Sequence, residues 1–376
     1  MQYHDIMAAN EKQEQTFLAD QKSLGNAVVP LEGEHFPWDK KKSQSDLVAG
    51  MYADMKNENK AWAVCLCGKQ LAFKRALDPD TGELTGGRKL YYAKFCRARL
   101  CPMCSARLSL KHYALLSRVV DELYARHGKD EVIPIFLTVT VKNCKGYELS
   151  RVIDGLMAAW QRLIQRKAVR ENCVFGWVRT LEVTYNKSRD DFHPHFHAIG
   201  FMRKEYWQGR PGNGRAGGWA ISQEDWRKLW QKSARLDYDP SVDVRGVKGK
   251  NQQNALKEVA KYSVKSFDYI KPGDEATSRK VLQVYDNALK GRRLFALTGE
   301  VKDIAAELGL NPDSEDLIHI DEEAVNGSVS MVEIYQWFRT AQSYVMTDFG
   351  LTVEEANGLL GISPKDLDGA GTESRA

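Results

Sequence analysis

The feature that most constrains the fold is a pair of apolar segments around a short polar loop. Residues 176–185 read as a strand, 186–191 as a turn, and 193 to about 202 as a second strand. Two strands so joined form an antiparallel hairpin, and alternate side chains along each share one face. The second strand opens with His193-Pro194-His195-Phe196-His197 and holds three of the chain's eight histidines. His195 and His197 project from the same face, about 7 Å apart along the strand, with Phe196 on the other. Two imidazoles placed this way can share one divalent ion, and when buried they need partners for their ring nitrogens. A histidine-bearing edge strand without a ligand is the alternative. His193 shares their parity, but Pro194 intervenes and lowers its weight as a ligand.

A hard divalent ion held by two imidazoles calls for a carboxylate as well. Glu182, within Leu181-Glu182-Val183 on the first strand, is the expected third ligand. The short connection places it opposite His195 or His197, and a charge buried in an apolar strand requires a partner. A solvent-facing glutamate is the competing reading.

Seven cysteines are present, five of them between Cys65 and Cys104. In a cytoplasmic chain, such clustering reads as metal ligation rather than disulfide bonding. Cys101-Pro102-Met103-Cys104 is a Cys-x2-Cys knuckle, and Cys96 lies five residues before it. Cys67, Cys96, Cys101 and Cys104 are the expected ligands of a closed tetrahedral zinc site. Cys65 is the alternate, because the spacing does not separate it from Cys67; buried thiols without metal are the other outcome. Arg97, Arg99 and Arg107 flank the knuckle as candidates to lower thiol pKa values or to contact DNA phosphates. Cys144 and Cys173 stand apart and read as structural.

A third cluster follows in Glu258-Val259-Ala260-Lys261-Tyr262-Ser263-Val264-Lys265. On a helix, Glu258 and Tyr262 stand at i and i+4, with Lys265 on the next turn. A phenol titrates near pH 10, so it needs a cation or metal beside it to act as a nucleophile at neutral pH. A carboxylate one turn away can take a proton from water. A salt-bridged surface helix with an amphipathic tyrosine is the plainer alternative, and Tyr269 is the next candidate nucleophile.

At 376 residues the chain is expected to hold more than one domain. We read a flexible arm over 1–60, which includes Lys40-Lys41-Lys42, and a cysteine zinc module over 61–110 with short strands at 61–67 and 90–95. A catalytic region spans 111–270, and an acidic, mostly helical region spans 271–376. Within these, the apolar spacing predicts helices over 106–127, 149–166, 254–267, 301–308, 331–346 and 353–360, and strands over 132–141 and 241–247. Ser222 with Asp225, Ser330 with Glu333, and Thr352 with Glu355 are read as helix starts. A glycine-rich loop spans 209–218. From Val301 onward there are fifteen acids and four bases, a balance of −11, which against a total of +4 leaves +15 for the remainder. A basic body suggests a polyanionic partner. No apolar run reaches the roughly 18 residues needed to span a bilayer, and no secretory leader is evident, so a cytoplasmic protein without a membrane partner is expected.

These pieces together resemble the replication initiators of rolling-circle bacterial plasmids, in the single-tyrosine branch of the HUH (histidine–hydrophobe–histidine) endonucleases. Phe136-Leu137-Thr138-Val139-Thr140 resembles that family's first motif, Pro194-His195-Phe196-His197 its second, and Glu258-x3-Tyr262-x2-Lys265 its third. The knuckle Cys96-Arg97-x-Arg99-x-Cys101-Pro102-x-Cys104 resembles one found upstream in many members, and Lys290-Gly291-Arg292-Arg293-Leu294 extends the likeness. The likeness runs from about Cys65 to Phe267, leaving the first 60 residues and those after about 300 poorly covered.

The resemblance implies an α+β fold with a central antiparallel sheet and flanking helices, RRM-like. A small zinc-binding module precedes it and a helical C-terminal region follows. It implies that the metal strand lies beside the first-motif strand and that Tyr262 faces the metal. It further implies a mechanism. Mg²⁺ or Mn²⁺ at His195, His197 and Glu182 polarises the scissile phosphate of a single-stranded plasmid origin. Tyr262 attacks to leave a 5′-phosphotyrosyl link and a 3′-OH primer, and Lys265 steadies the phosphate or the phenolate. Glu258 activates water at termination. Zn²⁺ occupies the cysteine cluster, a host helicase and DNA polymerase are partners, and a homodimer is left open. Two other readings compete. One is a relaxase or single-strand transposase with the same chemistry, which the cysteine module and the Glu258–Tyr262 spacing disfavour. The other is a non-catalytic, zinc-stabilised DNA-binding regulator, which leaves His195, His197 and Tyr262 without a purpose.

Overall fold

The computed structural model describes residues 3–23, 29–31, 36–78, 80–207, 220–247, 250–261, 265–314, 316–318, 320 and 330–362. They belong to two compact units, one made of Met1–Arg107 with Glu315–Ala376 and the other of Leu108–Ser314. The strands are β1 (Gln70–Leu77), β2 (Leu84–Ala93), β3 (Val132–Thr140), β4 (Gly176–Asn186), β5 (Asp191–Arg203), β6 (Val242–Gly246), β7 (Phe295–Thr298), β8 (Ser330–Phe338) and β9 (Ser343–Leu351).

In the Leu108–Ser314 unit the strand order is β6-β3-β5-β4-β7, antiparallel at every pairing. The histidine strand β5 is therefore central, between β4 of the expected hairpin and the β-branched, apolar β3. On one face, Val178, Ile199 and Phe201 pack with Leu115, Leu116, Val119, Val120 and Leu123 of helix Pro102–His127 and with Leu256 and Val259 of helix Lys250–Ala260. On the other, Trp160 of helix Leu149–Ile164 meets Trp177 and Phe196 edge-on, and Trp226 of helix Gln223–Ala234 meets Trp177. Gly200 makes this possible, since a Cβ there would lie 2.5 Å from the Trp177 ring. Each such large apolar side chain, fully buried, contributes about 1.5–3 kcal/mol. Alternation along β5 thus sorts its residues: Phe196 goes to the tryptophan layer, His195 and His197 to the opposite face.

The other unit carries a sheet of order β2-β1-β8-β9. Its central pairing, Gln70–Ala76 against Ser330–Gln336, joins the two ends of the chain. Helix Val353–Leu360 seats Ala356 on Ala72, Tyr91, Val332 and Ile334.

Three local expectations differ from the structure. Within residues 1–60, read as a flexible arm, helices run over Tyr3–Ser23 and Trp38–Asp54. Within that arm's basic run, Lys42 is buried and its ammonium donates to Asp46 Oδ1 at 2.6 Å and to the Cys65 carbonyl at 2.6 Å. Residues 61–67, read as a strand, lie largely in helix Glu58–Leu66, capped by Asn57, with Ala61, Val64 and Cys65 buried at helical spacing. Residues 331–346, read as a helix, form most of β8 and β9, so Ser330 with Glu333 opens a strand and not a helix. Met331, Ile334, Tyr335 and Phe338 imitate a helical stripe, but β8 is buried on both faces and so lacks the alternation of a half-exposed strand. The start signals at Ser222 and Thr352 are both capping boxes. The chain is thus α+β, with two antiparallel sheets, the cysteine cluster towards its N-terminus and helices in its C-terminal region.

Candidate active site and metal centres

The pairing register sets the first cluster. Glu182 of β4 stands opposite His195 of β5, and Thr138 of β3 and Thr180 of β4 both stand opposite His197. These side chains share the sheet face away from the tryptophans, beyond the part covered by the apolar core. His195 Nε2 and His197 Nε2 are 3.2 Å apart, and Glu182 Oε2 lies 3.2 Å from His197 Nε2 and 3.9 Å from His195 Nε2. One atom from each residue therefore converges on a single point, with all three within 4.8 Å of one another. Imidazole nitrogens and a carboxylate oxygen in this arrangement suit Mg²⁺ or Mn²⁺.

The remaining atoms of the cluster are also held. His195 Nδ1 donates to the His193 carbonyl at 3.0 Å, and His197 Nδ1 lies 3.0 Å from Thr138 Oγ1. The Phe136 ring packs 5.4 Å from that of His197, and the His193 ring stacks 4.9 Å from that of His195. Glu182 Oε1 accepts from Lys265 Nζ at 2.7 Å. Burial alone would raise the Glu182 pKa, but hydrogen bonds from His197 and Lys265 outweigh it and bring the carboxyl down to about 2. Burial, with His197 beside it, pushes His195 down to about 4, so at neutral pH it is the uncharged ring a metal requires. Lys265 is held above its ordinary value: burial opposes the charge, and the bond to Glu182 overcomes it.

The third motif is not one continuous helix in the described residues. Helix Lys250–Ala260 closes with Lys261 N–H donating to the Glu258 carbonyl, a tightened last turn, and a short helix begins again at Ser266–Tyr269 with Lys265 as its extended cap. Tyr262 lies outside the described residues. Glu258 pairs with Lys261, its neighbour, and Lys265 pairs with Glu182. Thr180 Oγ1 donates to the Val259 carbonyl, which ties the end of the helix to β4. Tyr269 is buried against Tyr285, which leaves its phenol poorly placed for a substrate.

In the other unit, the sulfurs of Cys67, Cys96, Cys101 and Cys104 lie within 4.8 Å of one another. Cys67 and Cys104 are 3.4 Å apart and Cys96 and Cys104 3.7 Å. A tetrahedron with Zn–S bonds of about 2.3 Å has sulfur edges of about 3.8 Å, so the set fits zinc. Backbone N–H groups of Cys96 and Arg97 donate to Cys67 and Cys104 at 3.4 and 3.3 Å, as bound thiolates need. Burial works against charge on Cys101, but bonds from Cys104, Cys67 and Cys96 hold its thiol below the ordinary range. The structure separates the two cysteines that spacing could not: Cys65 Sγ faces Met7 Sδ at 3.5 Å, away from the cluster. Arg107 also departs from its expected role in contacting DNA. It is buried and donates to the carbonyls of Leu317 and Ile318, because its guanidinium is drawn between those carbonyls and the rings of Phe36 and Trp38. Arg97 is exposed and Arg99 half-buried.

Sequence reasoning quoted Thr138 without giving it a task and overlooked Thr180. Both could have been found from strand parity, since each shares the face and the register of His197. The Lys265–Glu182 pair had no signal in spacing, because it depends on how two distant segments meet.

Comparison with known proteins places the chain. A family described as "Replication protein" matches residues 87–345. A "Protein rep" of Bacillus amyloliquefaciens is 34% identical over 343 residues, covering 84% of this chain and 95% of that one. A "Protein rep" of a Bacillus species is 37% identical over 297 residues, covering 74% and 90%. One from Streptococcus pneumoniae serotype 2 is 33% identical over 287 residues, covering 76% and 83%. No solved structure gives a significant match. A family match across most of the chain, with relatives covered nearly end to end, means that the chain belongs to the Rep family of plasmid replication initiators.

Proposed function

We propose that the chain starts rolling-circle plasmid replication by nicking its origin with Tyr262 at a metal site formed by Glu182, His195 and His197. The observation that carries this reading is the convergence of His195 Nε2, His197 Nε2 and Glu182 Oε2 on one point, with Lys265 bound to the same carboxylate. The described residues on either side of Tyr262 support it. Val259, three residues before, is bonded to Thr180, and Lys265, three residues after, is bonded to Glu182. The nicking chemistry then belongs to the Leu108–Ser314 unit.

In the reaction, the Tyr262 oxygen attacks the phosphorus of one linkage in single-stranded origin DNA. The new O–P bond forms as the bond to the 3′ oxygen breaks, and the phenolic proton ends on that oxygen. The products are a 5′-phosphotyrosyl link and a 3′-OH that primes a host polymerase, with a host helicase opening the duplex. A divalent ion, Mg²⁺ or Mn²⁺, supplies Lewis-acid polarisation of the phosphate. His195 and His197 present their Nε2 atoms, Glu182 supplies the negative charge, and Lys265 sets the orientation of that carboxylate. Glu258 activates water for release at termination. The cysteine cluster holds Zn²⁺ and keeps its unit folded. Arg97 and Arg99 contact origin phosphates. Among the described residues no helix is long and apolar enough to cross a membrane, and we place the protein in the cytoplasm with its plasmid.

The test is to incubate the full chain with labelled single-stranded origin DNA and Mn²⁺. A covalent protein–DNA adduct is expected from the wild type and none from Tyr262→Phe, which should still bind the oligonucleotide. An adduct of equal yield from Tyr262→Phe sinks the nucleophile assignment. Glu258→Ala should make the first adduct and fail to release it.

A further inference from the structure

The first-motif strand has no task in this scheme, yet it touches the metal site. Its outward residues Phe136 and Thr138 both meet His197: the phenyl ring at 5.4 Å between centroids and the hydroxyl at 3.0 Å from Nδ1. The two histidines are held differently. His195 Nδ1 faces a backbone carbonyl, which only accepts, so this ring carries its proton on Nδ1 and offers a lone pair at Nε2. His197 Nδ1 faces a hydroxyl, which donates or accepts by rotating. Thr180, the other threonine opposite His197, is engaged elsewhere, because its hydroxyl donates to the Val259 carbonyl.

We propose that Thr138 is a positioning residue that keeps the His197 ring in one orientation through both of its tautomers. With Nε2 protonated, the ring donates to Glu182 and accepts from the Thr138 hydroxyl. With Nδ1 protonated, it donates to Thr138, and Nε2 becomes a ligand beside His195 Nε2 and Glu182 Oε2. The change costs the ring no net proton, since the one lost at Nε2 is regained at Nδ1 through solvent. Thr138 therefore admits a cation without turning the ring, which a carbonyl partner would not allow in the first tautomer. This inference rests on reading the cluster as a divalent-metal site.

Mn²⁺ binding to the full chain, followed by the paramagnetic resonance signal of the free ion, separates the two. Thr138→Val should weaken Mn²⁺ binding by about 10–100-fold, the usual cost of losing a partner that orients a ligand. Thr138→Ser, which keeps the hydroxyl, should bind like the wild type, and His197→Ala should not bind measurably. In long-range ¹H–¹⁵N spectra with Mg²⁺, His197 should move towards the Nδ1–H form in the wild type and Thr138→Ser. It should do so only at much higher Mg²⁺ in Thr138→Val. Thermal melting checks that each variant is folded, and Thr138→Ala repeats the comparison if Thr138→Val melts early. Wild-type affinity in Thr138→Val alongside loss in His197→Ala would overturn the role of Thr138 and leave the metal site standing. Equal weakening in Thr138→Ser would overturn it as well. Wild-type affinity in His197→Ala would remove the metal reading itself.

Discussion

The two donor clusters are built on opposite plans. The cysteine cluster is closed: four sulfurs, three of them on buried residues, face one another, and backbone N–H groups cover two. The histidine cluster offers three donors from two strands, with the His197 side chain 15% exposed and a lysine gripping the carboxylate. A complete tetrahedral set leaves a metal nothing further to bind, whereas a three-donor set leaves positions for water or a phosphate. On the proposed function, one site serves stability and the other chemistry, and each is breakable by a different measurement.

The largest effect is expected at the closed site. Cys101→Ser should abolish zinc in metal analysis and remove most of the roughly 10 kcal/mol that a structural zinc contributes, seen as early melting of its unit. Unchanged zinc content would erase the contrast between the clusters. Next comes the buried pair that sits in the same unit. Lys42→Ala strands Asp46, whose other oxygen accepts from Trp337, and should cost about 3–5 kcal/mol in denaturant unfolding. A loss below about 1 kcal/mol, the range of surface pairs, would show that the polar cluster is not part of that unit's support.

At the open site the balance should reverse. His197→Ala should lower the rate of covalent adduct formation by about a hundredfold or more while melting stays close to wild type. A large drop in melting temperature with the rate preserved would make this site structural too. The smallest effect concerns Asp268, on the short helix after Lys265. It is buried, its Oδ2 has no hydrogen-bond partner among the described residues, and burial pushes its carboxyl up to about 6. A folded value above the unfolded one means that the folded state holds the proton more tightly. Its contribution is therefore full below about pH 4 and is lost as pH rises through about 6, by roughly 1–3 kcal/mol. Asp268→Asn should flatten that decline in pH-dependent unfolding, and an unaltered slope would contradict the assignment.

How far the sequence carries depends on whether an interaction is local. The hairpin, its turn and the face shared by Glu182, His195 and His197 follow from alternation over a few residues, and the register in β4 and β5 realises them. The knuckle at Cys101 and Cys104 is local as well. By contrast, β8 lies between β9 and β1, and the hydrogen bonds on one of its edges come from β1, some 260 residues earlier. Buried on both faces, it shows neither period clearly. Lys42 falls in the stretch read as a flexible arm because its partners, Asp46 and the Cys65 carbonyl, are visible only after packing. Helical spacing puts Lys265 one turn beyond Tyr262, but the helix ends at Ala260 and the ammonium meets a carboxylate from another strand. In each case tertiary pairing overrode a local pattern.

The central claim is that a tyrosine beside the histidine cluster forms a covalent bond to the origin. Mass-spectrometric mapping of the nucleotide-linked peptide, after trapping the wild-type chain on single-stranded origin DNA with Mn²⁺ and digesting both components, tests it most directly. The account predicts a nucleotide on Tyr262, absent when the metal is chelated. A nucleotide on Tyr269 or another residue, or cleavage with no protein-linked nucleotide at any time point, would contradict it.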